Sequence, residues 1–237
     1  MCHKLKIDII ASGSKGNCYQ IDDGKTVLLI EAGIPVNHIQ VKLGFSLFRI
    51  AGVLLSHEHQ DHAKAAKRLI QYGVDAYMSA GTAKALGLSG HRIHEVQAGE
   101  AFEVGTYTVL PFATKHDASE PFGYFIRSSA AQESLLFFTD TYYLEYLFED
   151  VNYIIGECNY SKVLLKANRE NGAISRDLYE RIYRSHMSLE TLKDFLLSLD
   201  RSALRQIYLV HLSDANADAA LFKREIQRLT GAEVIVT

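Results

Sequence analysis

LLSHEHQDH, residues 54–62, places three histidines, one glutamate and one aspartate directly behind an apolar run. His57 and His59 are two apart, so an extended backbone turns both imidazoles to one side. Asp61 and His62 follow where the chain bends into a helix. Nitrogen ligands together with a carboxylate oxygen suit zinc or a similar borderline transition metal. A strand end gives such a set a rigid base and an open side for substrate. Read one residue at a time, the same stretch is a polar helix N-terminus capped by Asp61. The full pattern H-x-H-x-D-H behind a buried strand points to a metal.

A metal cage needs further ligands, and the sequence supplies them in similar settings. His116 follows the strand-like TYTVLPFATK, Asp140 closes SLLFFTD, and His211 closes QIYLV. Each is a metal-competent side chain at the C-terminal end of an apolar strand. Six ligands plus a carboxylate able to bridge exceed what one tetrahedral ion requires, so two divalent metals are expected.

Composition bounds the rest. The chain has 237 residues, 48% hydrophobic and 22% charged, which is globular rather than disordered. Lys and Arg total 25 against 28 for Asp and Glu, a formal net charge of −3 that does not advertise a general polyanion binder. The three widely separated cysteines (Cys2, Cys18, Cys158) give no disulfide framework, and a reducing cytoplasm is expected. There is no signal-peptide pattern, and no apolar stretch approaches the roughly 18 residues of a membrane span.

Turn signals and apolar runs predict a hairpin across Asp22–Lys25 and a short helix over Pro35–Leu43. They also predict a buried strand at AGVLLS and one helix from Asp61 to Gly73. Strands then alternate with short helices through DAYMS, HRIHEV, TYTVLPFA, FGYFIRS, SLLFFTD and VNYIIGE. Helices follow Ser188 and the segment SDANAD, with strands QIYLV and AEVIVT between and beyond them. No repeat or linker-like tract interrupts this order. One α/β (α+β) domain spanning 1–237 is the economical reading.

In residue order, LLIEAG, the H-x-H-x-D-H segment, His116, Asp140 and His211 resemble the metallo-β-lactamase-fold hydrolases along essentially the whole chain. SGSKGNCYQI, KHDASEPFGYFI, FTDT and VHLSDAN look like the small bacterial branch that includes DNA-exonuclease-like proteins. They are also similar to phage phosphodiesterases that cleave cyclic nucleotides to defeat Pycsar immunity. The resemblance implies a four-layer αββα sandwich. It implies a first metal, zinc or manganese, on His57, His59 and His116. The second would sit on Asp61, His62 and His211, with Asp140 bridging. A homodimer is likewise implied. One departure is visible: the family has Asp where LLIEAG carries Glu31, at a position that supports the metal site from behind.

Two metals would lower the pKa of a water from 15.7 to about 7 and neutralise an anionic reacting centre, which suits a phosphodiester. Asp61 is the expected orienter of that water. His186, just before the Ser188-led helix, is the expected general acid or phosphate contact. Ser14 and Asn17 of the SGSKGN loop, with Glu157 and Asn159 after VNYIIG, are candidate substrate contacts. Substrate size is decided least. Six Lys/Arg and three tyrosines between Tyr160 and His186 fit a nucleic-acid track, yet Leu178 with Ile182 and Tyr179 with Tyr183 are spaced as a packed helix face. With that face packed and no inserted domain for a polymer, a 3′,5′-cyclic mononucleotide is the leading substrate, ahead of DNA. A lactonase or thioesterase, and a non-catalytic metal binder, remain as other classes.

Overall fold

The computed structural model describes residues 4–237; Cys2 and His3 lie outside the described residues. The chain is mixed α/β with its strands in two sheets, and it divides into two compact units. The first comprises the chain up to Ala113 together with Ala118–Ser134. The second comprises Thr114–Asp117 and Leu135–Thr237.

In the first unit, β1 (Lys6–Ala11), β2 (Cys18–Asp22), β3 (Val27–Ile30), β4 (Ile50–Leu54), β5 (Ala76–Met78) and β6 (Ile93–Glu95) pair in chain order. The expected hairpin is present, with Asp22 opposite Val27. From β3 onward the pairing is parallel. Parallel strands need crossovers, which α1 (Val36–Lys42), the pair α2 (Gln60–Ala63) and α3 (Ala66–Gln71), and α4 (Ala80–Ala85) supply. Leu29, Val53, Leu55, Ile39 and Leu69 are buried in one cluster. Removing such a side chain from water is worth about 1.5–3 kcal/mol. An antiparallel meander of β7 (Phe102–Val104), β8 (Tyr107–Ala113) and β9 (Phe122–Ser128) completes this unit.

The single helix expected from Asp61 to Gly73 is broken between Ala63 and Ala66. The cause is a tertiary backbone bond that no local pattern encodes. Ala65 donates its N–H to the carbonyl of Ala32 (2.8 Å), and Ala32 donates to the carbonyl of His62 (2.7 Å). Strand β7, three residues long, was not expected.

In the second unit, β10 (Glu133–Phe138) from Leu135 onward, β11 (Tyr153–Glu157), β12 (Gln206–Val210) and β13 (Glu233–Val236) run parallel. Their near-continuous burial reads as both sheet faces covered. Helices α5 (Lys162–Glu170), α6 (Arg176–Ser185), α7 (Leu189–Ser198) and α8 (Ala219–Thr230) carry the connections. Ser188 caps α7 as expected, its hydroxyl accepting the N–H of Thr191 at 3.1 Å. Phe195 of α7 meets Phe138 edge-on, which seats α7 on the sheet. Helix α6 differs: Ser185 is its one fully buried residue, and Leu178 and Tyr183 of the expected packed face are 40% and 46% exposed. Among the described residues, no helix is long and apolar enough to cross a membrane.

Candidate metal centre

In the first unit, β4 delivers the motif as its apolar register predicts. His57 is buried, with Nδ1 2.8 Å from the Ser56 hydroxyl and Nε2 3.0 Å from Nδ1 of His59. The rings of His57 and His62 lie 4.2 Å apart between centroids. His62 Nε2 is 3.4 Å from Asp61 Oδ2, and its Nδ1 is 3.6 Å from Glu31 Oε1. Asn17 donates from Nδ2 to the Asp61 carbonyl and lies 3.2 Å from His62 Nε2. Ser14 is exposed in the same loop. Glu31 is fully buried and accepts the Ser56 N–H at 3.3 Å. Burial pushes its carboxyl above the usual carboxylate range, against the pull of His62 and Ser56.

In the second unit, the parallel register aligns Phe138 with Gly156 and Glu157 with Val210. Asp140, Glu157 and His211 therefore leave the sheet at one edge, where loops place chemistry on a rigid scaffold. Asp140 Oδ1 is 3.1 Å from His211 Nδ1, and Asp140 Oδ2 is 3.5 Å from His116 Nε2. His116 directs Nδ1 at the carbonyl of Ser185, 3.2 Å away. A proton on that nitrogen leaves Nε2 as the ligating atom. His186 Nδ1 stands 2.6 Å from Glu157 Oε1 and 3.6 Å from Asp140 Oδ1. Asp140, Glu157, His186 and His211 each offer one ligand atom within 4.8 Å of the others. Burial alone would lower the pKa of His186, but the carboxylates of Glu157 and Asp140 prevail and push it up to about 10. Burial acts on Glu157 in the opposite sense, yet the two imidazoles hold it below the usual range.

Each unit thus gathers imidazole nitrogens and carboxylate oxygens at close range, the donor chemistry that borderline divalent ions take. The backbone is strained at the same positions. Glu31, Asp140 and His211 have φ of 65°, 49° and 56°. Side chains in that left-handed region cost about 1–2 kcal/mol each. Such strain just past the ends of β3, β10 and β12 concentrates where site geometry is set.

Within its own unit, each expected ligand lies beside another: His57, His59, Asp61 and His62 in the first, His116, Asp140 and His211 in the second. Asn159 holds the His211 loop, its Nδ2 donating to the His211 carbonyl at 2.8 Å. His94 stacks on Tyr77 with ring centroids 4.6 Å apart and lies 3.5 Å from Asp75, outside the ligand set. Two residues gain roles. Glu58, a spacer by pattern, accepts both the N–H and the hydroxyl of Ser119 at 2.8 and 2.7 Å. Glu157, read as a substrate contact, instead receives the N–H groups of Thr141 and Met187, each at 3.1 Å, besides His186. No sequence signal separates it from an ordinary strand-end acid.

Residues 35–212 match the model of the beta-lactamase superfamily domain. The exodeoxyribonuclease WalJ of Streptococcus pneumoniae is 26% identical over 229 residues, covering 90% of this chain and 83% of that one. The exodeoxyribonuclease YycJ of Bacillus anthracis is 24% identical, covering 98% and 89%. Among solved structures, the metallo-β-lactamase fold protein YhfI from Bacillus subtilis superposes with a TM-score of 0.74 at 17% identity, over 99% of this chain and 96% of that one. Unliganded yeast PDE1 does so at 0.70 and 11%, over 99% and 98%. The chain belongs to the β-lactamase superfamily, as a metal-dependent hydrolase of the metallo-β-lactamase fold.

Proposed function

We propose that this hydrolase is a phosphodiesterase that removes nucleotides from DNA ends. The observation that carries the reading is the seating of His186 on Glu157 beside Asp140 and His211. An imidazole anchored through Nδ1 keeps Nε2 for a substrate oxygen. A cationic or proton-donating group there answers an anionic phosphodiester better than a neutral ester. DNA is preferred over a cyclic nucleotide because two relatives aligned over nine-tenths or more of this chain are named exodeoxyribonucleases.

In this reading His57, His59 and His116 would hold one divalent ion, and Asp61, His62 and His211 the other, with Asp140 as the further ligand. The chain then acts as one domain over 1–237. Two zinc or manganese ions so held would supply Lewis acidity, which lowers the pKa of a water and offsets phosphate charge. Asp61 orients the attacking water. His186 hands a proton to the leaving oxygen, and Glu157 fixes its ring. Asn17 and Asn159 hold the loops of His62 and His211, and Ser14, exposed near Asn17 in sequence, is kept as a substrate contact. A homodimer in the cytoplasm is part of the proposal, checked by sedimentation and by fractionation.

A second reading, a 3′,5′-cyclic mononucleotide with a phage role against Pycsar immunity, has one observation in its favour. The cavity beside His116 is about 530 Å³, within the range of small-ligand pockets. The test strips the protein with chelator, restores zinc or manganese, and offers single- and double-stranded DNA, cyclic nucleotides and carboxylic esters. Metal-dependent shortening of DNA, reduced about 10²–10⁴-fold by His186→Ala, is expected. Rapid cyclic-nucleotide turnover with intact DNA would overturn the reading.

A further inference from the structure

The cavity beside His116 is lined by Lys115, Tyr142, Arg181, Arg184 and Ser185, with Asp117 and Glu180 also on its wall. Arg181 and Arg184 are three apart on α6 and so share a face. Neither is needed for packing, because both are exposed on a helix whose one fully buried residue is Ser185. Two of the three cations already have partners: Lys115 with Glu145 at 3.2 Å, and Arg184 with Glu180 at 3.5 Å. Among the described residues Arg181 has no ion pair, in a chain whose net charge is negative. The loop after Asp140 contributes Tyr142, 44% exposed, to the same lining.

We propose that this cavity seats the single-stranded stretch of the DNA substrate next to the scissile phosphate. Arg181 and Arg184 take successive backbone phosphates, and the ring of Tyr142 stacks on an unpaired base. The inference rests on the DNA reading above. Cations that track a backbone combined with an aromatic face are the features that bind single strands without regard to sequence. Three cations against two acids make a weakly positive wall, suited to one or two phosphates rather than a duplex. Stacking on Tyr142 also requires a base whose face is free. A mononucleotide filling the same cavity would leave Arg181 without a second phosphate.

The experiment measures binding of a 12-nucleotide oligothymidine with cleavage-resistant phosphorothioate linkages to the metal-loaded protein, at 50 to 200 mM salt. Arg181→Ala is expected to weaken binding about tenfold and to flatten the plot of log affinity against log salt by about 0.7. Tyr142→Leu is expected to weaken it about 5- to 100-fold, and Arg181→Lys to retain most of it. Both damaging variants alter exposed side chains, and their circular dichroism should match the parent. The loss in kcat/KM should be several-fold larger on a 12-mer than on a dinucleotide. If the variants bind and cleave like the parent while the parent degrades DNA, the cavity assignment falls and the nuclease reading stands. If the parent neither binds nor degrades oligonucleotides, both fall.

Discussion

Glu157 receives His186 through a 2.6 Å contact between Oε1 and Nδ1, while its other oxygen accepts the N–H groups of Thr141 and Met187. One buried carboxylate thereby fixes the residue after Asp140, the residue after His186, and the ring of His186 itself. Replacing it with glutamine keeps the shape and removes the charge. Glu157→Gln should lower kcat about 10–100-fold. KM and the zinc content per chain should stay near the parent's. Unchanged kcat would mean that the pairing is idle in the reaction.

Glu31 tests a different support. It is buried against His62 and Ser56. Glu31→Gln should weaken zinc binding about 10–100-fold, read by competition with a chelating dye. Equal affinity would show that His62 is held well enough by Asn17 and Asp61 alone.

Gly33 is placed where no side chain fits. A Cβ there would collide with the carbonyl of Asp61 and crowd the N–H of Asn17. Gly33→Ala should cost about 1–3 kcal/mol of stability, seen as a lower urea midpoint with an unchanged slope. It should also shift Asp61 and depress activity. A variant as stable and active as the parent would show that this backbone yields freely.

Asp23 sets an acid limit through bonds to groups outside the ligand set. It accepts the hydroxyls of Thr106 and Ser128 and the N–H groups of Lys25 and Thr26. Burial raises its pKa, but these bonds outweigh it and hold the carboxyl below the ordinary range. The folded value lies under the unfolded one, so the charged form stabilises the fold fully above about pH 3.9. That contribution is lost as pH falls through the lower folded value. Asp23→Asn should cost about 1–3 kcal/mol at neutral pH. It should also flatten the stability profile below about pH 4. A mutant profile parallel to the parent's across that window would remove Asp23 from the account.

The metal motif was legible because residue types and strand ends are both local signals. Val53, Leu54 and Leu55 are apolar without interruption, and the histidines follow at once. The break between α2 and α3 was not legible, since its cause is the backbone of Ala32, a group without sequence identity. Glu157 reads as a substrate contact and Glu58 as a spacer because their partners, His186 and Ser119, are brought to them only by folding. The left-handed backbone at Glu31, Asp140 and His211 was equally invisible, for no glycine marks it. Helix α6 misled in the other direction: helical spacing of Leu178, Tyr179, Ile182 and Tyr183 suggests packing, yet Leu178 and Tyr183 stay in water.

Asn17, Ala32, Gly33, Asp61 and His62 are tied by main-chain bonds that run from Asn17 to Asp61, from Gly33 to Asn17 and from Ala32 to His62. Three stretches far apart in sequence are stitched at the peptide level, with Gly33 leaving room for the seam and the Asn17 side chain adding a bond to it. The nine residues LLSHEHQDH are therefore no portable cassette. Grafted onto another strand end, they would bring the ligands without the stitching that aims them. Engineering of this site has more room at exposed wall residues such as Tyr142 and Arg181, where change leaves the seam intact.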